Sequence, residues 1–584
     1  MRVLGINAIG HHEASACLLD EGRLVAFAEE ERFTRTKHAV AQQPFGAVRW
    51  CLEASGLDWG DIAAIATPWV EEEYGVIAPP GYREDIAFSS RDQGRDADRW
   101  PANLRDFVRG AGCPPARTPA LVQVSHHLAH AASAYYCAGF DDAVVLVADG
   151  EGDRVSTTLA HGRDGRITLL RQFPTTDSLG QFYACITEFL GMGGFGEGKL
   201  MGLAPYGSPR LAFPEIQLTD GGYRIAIDGH LRPWDPAGTD YLAIIKAWMT
   251  TLSRRLGSPR PPREAGGPSR LADWPQFDLD VAASAQQTLE TVLTHLARAA
   301  LAETGSRHLV VAGGVGLNCS ANGALAGVPG VEAIFVQPAA GDNGAPIGAA
   351  QYAAALGGDA PMHQLRSVAL GPHHRAAACA AALDAAGVAY TEPADVADEV
   401  AERLARGEVV CWFDGAMEGG PRALGGRSIV AAPSSARLRD RVNDVKRRAH
   451  WRPLAPSIRA EDSDALLARG GSNPFMIVAD HVAPAWHERV PGIVHVDASA
   501  RPQTVERELQ PSYWAMIDGF HRRTGVPAVI NTSFNDEREP IVNTPREALA
   551  TFLRSGADAL RLGPFLVTRP DGPGSHTAET EHHR

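Results

Sequence analysis

Lysine is nearly missing from this chain. Of 55 Lys+Arg residues among 584, only Lys37, Lys199, Lys246 and Lys446 are lysines, so arginine fills almost every basic position. A compact ammonium and a planar guanidinium are not interchangeable, which marks each surviving lysine for inspection. Positive charge is also short overall. The formal net charge of -14 gives no basic field to attract a nucleic-acid backbone, although a local groove would not need one. The eight cysteines, at 17, 51, 113, 137, 185, 319, 379 and 411, form no CxxC pair and no metal-finger spacing, which suits reduced thiols in a cytoplasmic protein. No uninterrupted apolar run approaches a membrane span, and the opening MRVLGINAIG lacks the basic segment and long apolar stretch of a signal peptide. These absences predict a cytoplasmic protein without a membrane or nucleic-acid partner. A chain this long should divide into two or more domains.

What is present reads as α/β. Val3 to Asn7 predicts a strand, followed by a Gly/His loop and a hairpin of Ala16–Leu19 and Leu24–Ala28 around Asp20-Glu21-Gly22. A similar block returns at 143–171: an apolar strand Ala143–Ala148, a tight loop Asp149-Gly150-Glu151-Gly152, and a hairpin of Ser156–Ala160 and Ile167–Arg171. Two strand–glycine loop–hairpin units separated by helical stretches suggest a duplicated core, the plan of actin-like and sugar-kinase-like folds. Between 206 and 275 the pattern degrades, and the prolines around 258–268 predict an insertion or exposed loop. A long helix over 277–304 and a buried strand Leu309–Ala312 follow. The Gly- and Pro-bearing stretch 359–373 reads as a linker between a first domain, 1–358, and a second α/β domain, 374–570. The tail 571–584 reads as disordered.

Several residues point to chemistry. His126 and His130 are four apart in an Ala-rich helical segment, so both imidazoles share one face, one turn apart. Asp149 ends a buried strand, and Asp342, in Gly341-Asp342-Asn343-Gly344, follows the apolar strand Ile334-Phe335-Val336, so both are expected at strand ends facing a ligand cleft. A His2Asp2 set suits a Lewis-acid metal with open positions, and its mixed ligands leave Fe(II), Mn(II) and Zn(II) open. His127 points elsewhere on the helix. Gly313-Gly314-Val315-Gly316-Leu317-Asn318 follows a strand and could cradle a phosphate or ribose, with Lys199 in EGKLMGLA beside the same anion. Later in the chain EGGPRALGGRS carries Arg422 and Arg427. KRRAHWRPLAPS carries Lys446 and Arg452, and NTSFN carries Asn531 and Ser533 at a strand end. Convergent arginines bind phosphate oxygens through forked hydrogen bonds.

Together AEEERFTRTKH (28–38), HHLAHAASAYY (126–136), EGKLMGLAPYG (197–207), GGVGLNC (313–319), GDNGAPIGAA (341–350), GGPRALGGRS (419–428), WRPLAPS (451–457) and NTSFN (531–535) resemble the O-carbamoyltransferases of antibiotic biosynthesis and nodulation, over nearly the whole chain. The resemblance implies an actin-like (Kae1-like) N-terminal domain and a YrdC-like α/β C-terminal domain. The second would convert carbamoyl phosphate and ATP, with Mg2+ as a further option beside the ATP, into carbamoyl-adenylate. The first would pass the carbamoyl group to a hydroxyl of a small natural product. By motif, His126, His130, Asp149 and Asp342 would hold the metal, with iron the ion the family implies. Arg422, Arg427, Lys446, Arg452, Arg501, Asn531 and Ser533 would contact carbamoyl phosphate and ATP. Lys37, Lys199, Gly313, Gly314 and Asn318 would hold the adenylate in the first domain, and His12 is the candidate base. A carbamoyl transfer to a maturation cysteine would add an acylphosphatase domain and zinc-finger cysteines, and neither pattern appears. A tRNA-modifying fusion sits badly with the acidic charge, and an actin-like regulator would not need the His2Asp2 set. The commonest symmetry makes a homodimer the default oligomer.

Overall fold

The computed structural model describes residues 1–8, 12–70, 104–227, 241–262 and 270–569. The chain divides into two compact units. One comprises Met1–Pro372, Gly419–Pro421 and Ile477–Ala479; the other comprises His373–Glu418, Arg422–Met476 and Asp480–Arg584. The tail 571–584 lies outside the described residues, as do 263–269 of the proline-rich stretch.

The first unit contains the expected duplication. Its first sheet is built from β1 (Arg2–Asn7), β2 (Ser15–Asp20), β3 (Arg23–Glu29), β4 (Ala64–Thr67) and β5 (Ala120–Gln123), in the order β3-β2-β1-β4-β5. The hairpin strands are antiparallel, whereas β4 and β5 run parallel to β1. Its second sheet takes β6 (Asp142–Gly152), β7 (Val155–Arg163) and β8 (Arg166–Pro174). After a separate hairpin, β9 (Ile216–Thr219) and β10 (Gly222–Ile225), come β11 (His308–Ala312) and β12 (Ala333–Val336). The order β12-β11-β6-β7-β8 repeats the first sheet's connectivity strand for strand, again two antiparallel and two parallel pairings. This is an actin-like duplicated α/β fold. The central strands β1 and β6 carry buried apolar runs, Val3–Ile6 and Ala143–Ala148, because both faces are covered. Between the sheets' strands, the helices His126–Ala138 and Ala345–Leu356 pack closely. Gly348 makes that approach possible, since a Cβ there would lie 1.8 Å from the Ala129 carbonyl oxygen.

Three local expectations need correction. Asp149-Gly150-Glu151-Gly152 is not a tight loop, because β6 continues to Gly152 and the reversal falls on Asp153 and Arg154, both left-handed. Asp149, Gly150 and Glu151 instead form an irregularity between the pairings Ala148↔Thr157 and Gly152↔Val155. Such a bulge re-aims the side chains it carries. Asp342 does not sit at a strand end either. It starts a short 3-10 turn, Asp342–Gly344, that feeds the helix Ala345–Leu356. Finally, 206–275 is no mere exposed loop. It holds β9, β10 and the helix Tyr241–Leu256, whose Ile244, Trp248 and Leu252 are fully buried. Their i, i+4, i+8 spacing was visible in the sequence, but the later prolines drew attention away from it.

The second unit is a seven-stranded mixed sheet. In spatial order its strands are Gln503–Val505, Ala455–Arg459, Ala528–Ser533, Arg427–Ala431, Val410–Phe413, Ala559–Leu562 and Phe565–Thr568. Its core includes Trp412, Phe413, Phe520 and Phe534. The guanidinium carbon of Arg427 lies 3.7 Å from the Phe413 ring centre, and that of Arg561 lies 3.9 Å from Trp412. Cation–π packing therefore extends this core beyond hydrocarbon. Among the described residues, no helix is long and apolar enough to cross a membrane.

Candidate functional site

The helix His126–Ala138 begins on the first of its three histidines. Its N-cap residue Ser125 makes no side-chain cap, and Asp153 from the β6–β7 turn supplies the missing acceptor, taking the His126 amide hydrogen at 2.6 Å. The acidic residue thus satisfies an orphan helix amide and favours the helix dipole. His126 is fixed further by Trp69, whose ring stacks on it at 4.0 Å while its own Nε1 donates to Asn7 Oδ1. Gly152 leaves room for the imidazole, as a Cβ there would come within 2.0 Å of it.

His126, His130, Asp149 and Asp342 converge, with one ligand atom from each lying within 4.8 Å of all the others. His126 Nε2 is 3.0 Å from His130 Nε2, 3.2 Å from Asp149 Oδ2 and 3.4 Å from Asp342 Oδ1. His130 Nε2 is 3.4 Å from Asp149 and 3.7 Å from Asp342. Two ligands held about 2.1 Å from one cation stand about 3.0 Å apart at a right angle and about 3.4 Å apart at the tetrahedral angle. Four of the five separations above fall in that range, and His130–Asp342, at 3.7 Å, lies just beyond it. His126 Nδ1 lies 3.2 Å from the Pro68 carbonyl, which can only accept, so Nδ1 carries the hydrogen and Nε2 presents its lone pair. Two buried imidazole nitrogens facing each other at 3.0 Å need a proton or a cation between them. The donor set fits a divalent transition metal.

Electrostatics agree. Without a cation, burial opposes charge on His126, yet Asp342 and Asp149 override it and push the imidazole up to about 10. Burial likewise opposes charge on both aspartates, but His126 and His130 hold them below the ordinary carboxylate range. The pocket therefore demands positive charge at its centre. His127 differs: burial and then the neighbouring His126 pull it down to about 3, and its Nδ1 lies 3.0 Å from Thr158 Oγ1. It is a neutral structural residue.

The other residues singled out in this unit have mixed placements. Gly314 donates its amide to Asp149 Oδ1 at 2.9 Å, so the Gly313-Gly314 turn orients a member of the cluster. Asn318 caps the helix Cys319–Ala326 and exchanges hydrogen bonds with Gln286, which makes it a structural residue. Lys37 is exposed in a 3-10 turn and Lys199 is half-buried in the helix Glu197–Leu203. His12 has a buried Nδ1, and its ring stands nearly perpendicular to that of Phe195, 5.4 Å away. The next residue, Glu13, reaches the Asn343 amide at 3.3 Å, which brings the His12 loop beside Asp342. Two nearby acids escaped the sequence reading: Glu13, and Glu151, pushed up to about 7 by burial and then by Asp149. Only the bulge in β6, invisible to periodicity, shows where Glu151 lies.

In the second unit the basic residues separate into two groups. Lys446 is buried, and its Nζ donates to the Ser533 carbonyl and hydroxyl and to the Asn535 carbonyl and side-chain oxygen. Arg427 donates from Nη1 to the carbonyls of Asp414, Gly415 and Gly426. Asn531 donates to the Ala423 carbonyl, the Ser457 hydroxyl and Gln503 Oε1. These three hold the turn 422–427 and the strand Ala528–Ser533 in place. Glu418 assists by accepting the amides of Leu424, Gly426 and Arg427 at Oε1, and Arg422 stands half-buried in the turn so formed.

Arg452 and Arg501 form the other group, and Arg448 joins them. Burial, then Arg452 and Arg501, drive the Arg448 guanidinium well below its ordinary range. Arg452 is lowered by burial and Arg501 and restrained by Glu537, to which its Nη1 donates at 2.6 Å. Arg452 thus pairs with Glu537 while Arg448 donates to Asn443 Oδ1 and the Pro453 carbonyl, and with Arg501 they concentrate positive charge suited to a phosphate-like anion. Arg448 and Glu537 were missed by the sequence reading. The KRR run signalled the arginine, but nothing local marked a glutamate 85 residues beyond Arg452.

A family profile described as Carbamoyltransferase N-terminus matches residues 2–351, and one described as Carbamoyltransferase C-terminus matches residues 401–569. Nodulation protein NolNO of Sinorhizobium fredii is 36% identical over 571 residues, covering 96% of this chain and 79% of that protein. Nodulation protein NolO of Bradyrhizobium diazoefficiens is 38% identical over 459 residues, covering 76% of this chain and 79% of that protein. Among solved structures, full-length HypF in its phosphate- and nucleotide-bound form overlaps 62% of this chain and 56% of its own at 13% identity, with a TM-score of 0.34. That likeness is too distant to inform the chemistry.

Proposed function

The chain belongs to the carbamoyltransferase family, and from that premise we propose that it is a cytoplasmic O-carbamoyltransferase acting through carbamoyl-adenylate on a hydroxyl of a small natural product. The observation that carries this reading is the pairing of opposite sites: a buried His2Asp2 cluster that calls for a cation, and an arginine cluster that calls for an anion. The eight free, buried cysteines agree with a reducing compartment.

In this account the second unit is the YrdC-like adenylate-forming domain. Water hydrolyses carbamoyl phosphate to carbamate and phosphate, a carbamate oxygen then attacks the α-phosphorus of ATP, and pyrophosphate departs. Arg448, Arg452 and Arg501 hold the anionic substrate, while Lys446 fixes Ser533 at the end of its strand. Arg422 contributes from the turn that Glu418 organises. In the first unit the acceptor oxygen bonds to the carbamoyl carbon as the bond to the AMP oxygen breaks, and His12 takes the hydroxyl proton. His126, His130, Asp149 and Asp342 would hold iron, or manganese or zinc with the same donors. When bound, such an ion supplies Lewis-acid polarisation of the carbamoyl oxygen. Lys199 and the Gly313-Gly314 turn lie on the same unit for contact with the adenylate.

The test is incubation with ATP, carbamoyl phosphate, Mg2+ and Fe(II). Pyrophosphate release that requires carbamoyl phosphate supports the proposal; ADP alone, or no turnover, overturns it. His12→Ala should abolish transfer while pyrophosphate release persists, and if both activities survive, the base lies elsewhere.

A further inference from the structure

The stretch AEEERF sets three glutamates in a row at 29–31, and each is turned to a different task. Glu30 accepts the amides of Gly46 and Ala47 at 3.1 and 2.8 Å, and so caps the helix Phe45–Ala54, whose N-cap residue Pro44 has no side chain able to do it. Glu31 accepts the His38 amide at 2.6 Å and pairs with Arg32 at 2.6 Å. Both serve the local chain. Glu29 reaches further. Buried at the end of β3, its Oε1 accepts from Asn343 Nδ2 at 2.7 Å. Its Oε2 accepts from Arg32 Nη2 at 2.9 Å and from the Gly420 amide at 3.1 Å, while Arg32 donates to the Gly420 carbonyl at 2.9 Å. All four residues belong to the first unit.

Asn343 follows Asp342, the member of the candidate metal cluster with the least regular support. His126 and His130 stand on a 13-residue helix and Asp149 on an 11-residue strand, but Asp342 stands on a 3-residue 3-10 turn. Neither that turn nor the helix it feeds has a side-chain cap. Beyond a backbone bond from the Gly344 amide to the Gly341 carbonyl, the turn is restrained through Asn343. The Asn343 carbonyl accepts from the Ser15 hydroxyl at 2.7 Å, and its amide donates to Glu13 at 3.3 Å. The bond to Glu29 adds a side-chain anchor to these two main-chain ones. Asn343 and Glu29 are both buried, so this bond forms away from water, where a charge-assisted hydrogen bond is strongest.

We propose that Glu29, braced by Arg32, is a positioning residue for the metal: it fixes Asp342 through Asn343 and thereby sets how tightly the cluster binds its ion. This rests on the metal reading above and goes beyond it by assigning the residue that aims the ligand on the turn. A ligating side chain works only when held within about 0.5 Å of its productive place, and partners standing behind ligands are worth about 10- to 100-fold in affinity.

The experiment is titration of metal-free full-length protein with Mn(II), the free ion being read by electron paramagnetic resonance. Asn343→Ala leaves the Arg32 and Gly420 contacts of Glu29 in place and should weaken Mn(II) binding about tenfold. Glu29→Asp keeps a carboxylate near Arg32, withdraws it by one methylene and should weaken binding to a similar degree. Because both changes act through one hydrogen bond, the double variant should bind about as well as the weaker single one. Glu30→Gln disturbs a neighbour as deeply buried, yet should leave Mn(II) affinity unchanged. The proposal is overturned by unchanged affinity in Asn343→Ala, by an additive loss of about 100-fold in the double variant, or by an equal loss in Glu30→Gln. Should Glu29→Asp not fold, Asn343→Ala and Glu30→Gln still decide. A wild type that binds no Mn(II) defeats the metal reading and the proposal with it, whereas variants that match a tightly binding wild type defeat the proposal alone.

Discussion

The two units solve opposite electrostatic problems. In the first, two imidazoles and two carboxylates, drawn from the start of one helix, a bulged strand and a 3-10 turn, face a common point that requires a cation. In the second, Arg448, Arg452 and Arg501 act unfavourably on one another's charge, and Arg452 pairs with Glu537. Burial magnifies both imbalances, because a charge removed from water must find its partner nearby. Under the proposed function, the contrast would serve a metal-assisted step on one scaffold and a phosphate-handling step on the other.

The largest effect should follow from removing a member of the first cluster. Asp149→Ala or His130→Ala should lower Fe(II) or Mn(II) affinity by at least about 100-fold, measured by titration of metal-free protein. Retained stoichiometric binding in both variants would break the comparison at its first half. For the second half, Arg452→Ala or Arg501→Ala should cut carbamoyl phosphate-dependent pyrophosphate release by about 10- to 100-fold, the range expected for one charge-assisted hydrogen bond. Arg448→Ala should behave alike if the three act together, and unchanged release would reduce the cluster to a structural one.

A pH dependence separates the units more finely. In metal-free protein His126 is raised from an ordinary 6.5 to about 10, so its contribution to stability is full below 6.5 and is lost as pH rises toward 10. Asp149 and Asp342 are lowered, so their contribution is present above about 3.8 and is lost as pH falls through their depressed values. Calorimetry of metal-free protein should show the first unit's transition falling as pH rises from 6.5 to 9. Metal-loaded protein should hold steady or rise, since deprotonated imidazoles bind metal better. The smallest effect belongs to Asp153→Ala, which removes the cap on the His126 amide. It should cost about 1 kcal/mol of stability by denaturant melts and weaken metal binding only a few fold.

Much of this was legible in the sequence, for reasons that can be named. Strands β1 and β6 carry apolar runs with glycines at their exits, and His126 and His130 carry a helical spacing that brings their rings together. The duplication followed from seeing that pattern twice. What stayed hidden depends on contacts between distant residues. The bulge that carries Asp149 and Glu151 has no signature in a 2-residue period, and nothing local marks Asp153 as the acceptor for the His126 amide. Asn531 and Arg427 read as substrate contacts because they stand in a motif, yet the Asn531 amide and the Arg427 Nη1 donate to the protein's own oxygens. Trp248 was overlooked because prolines further on made its neighbourhood read as a loop.

The division of labour between the units is tested most directly by phosphorus NMR of His130→Ala turning over ATP and carbamoyl phosphate. The account predicts pyrophosphate and phosphate accumulating near the wild-type rate while no acceptor is carbamoylated. Pyrophosphate formation that collapses together with metal binding would contradict it.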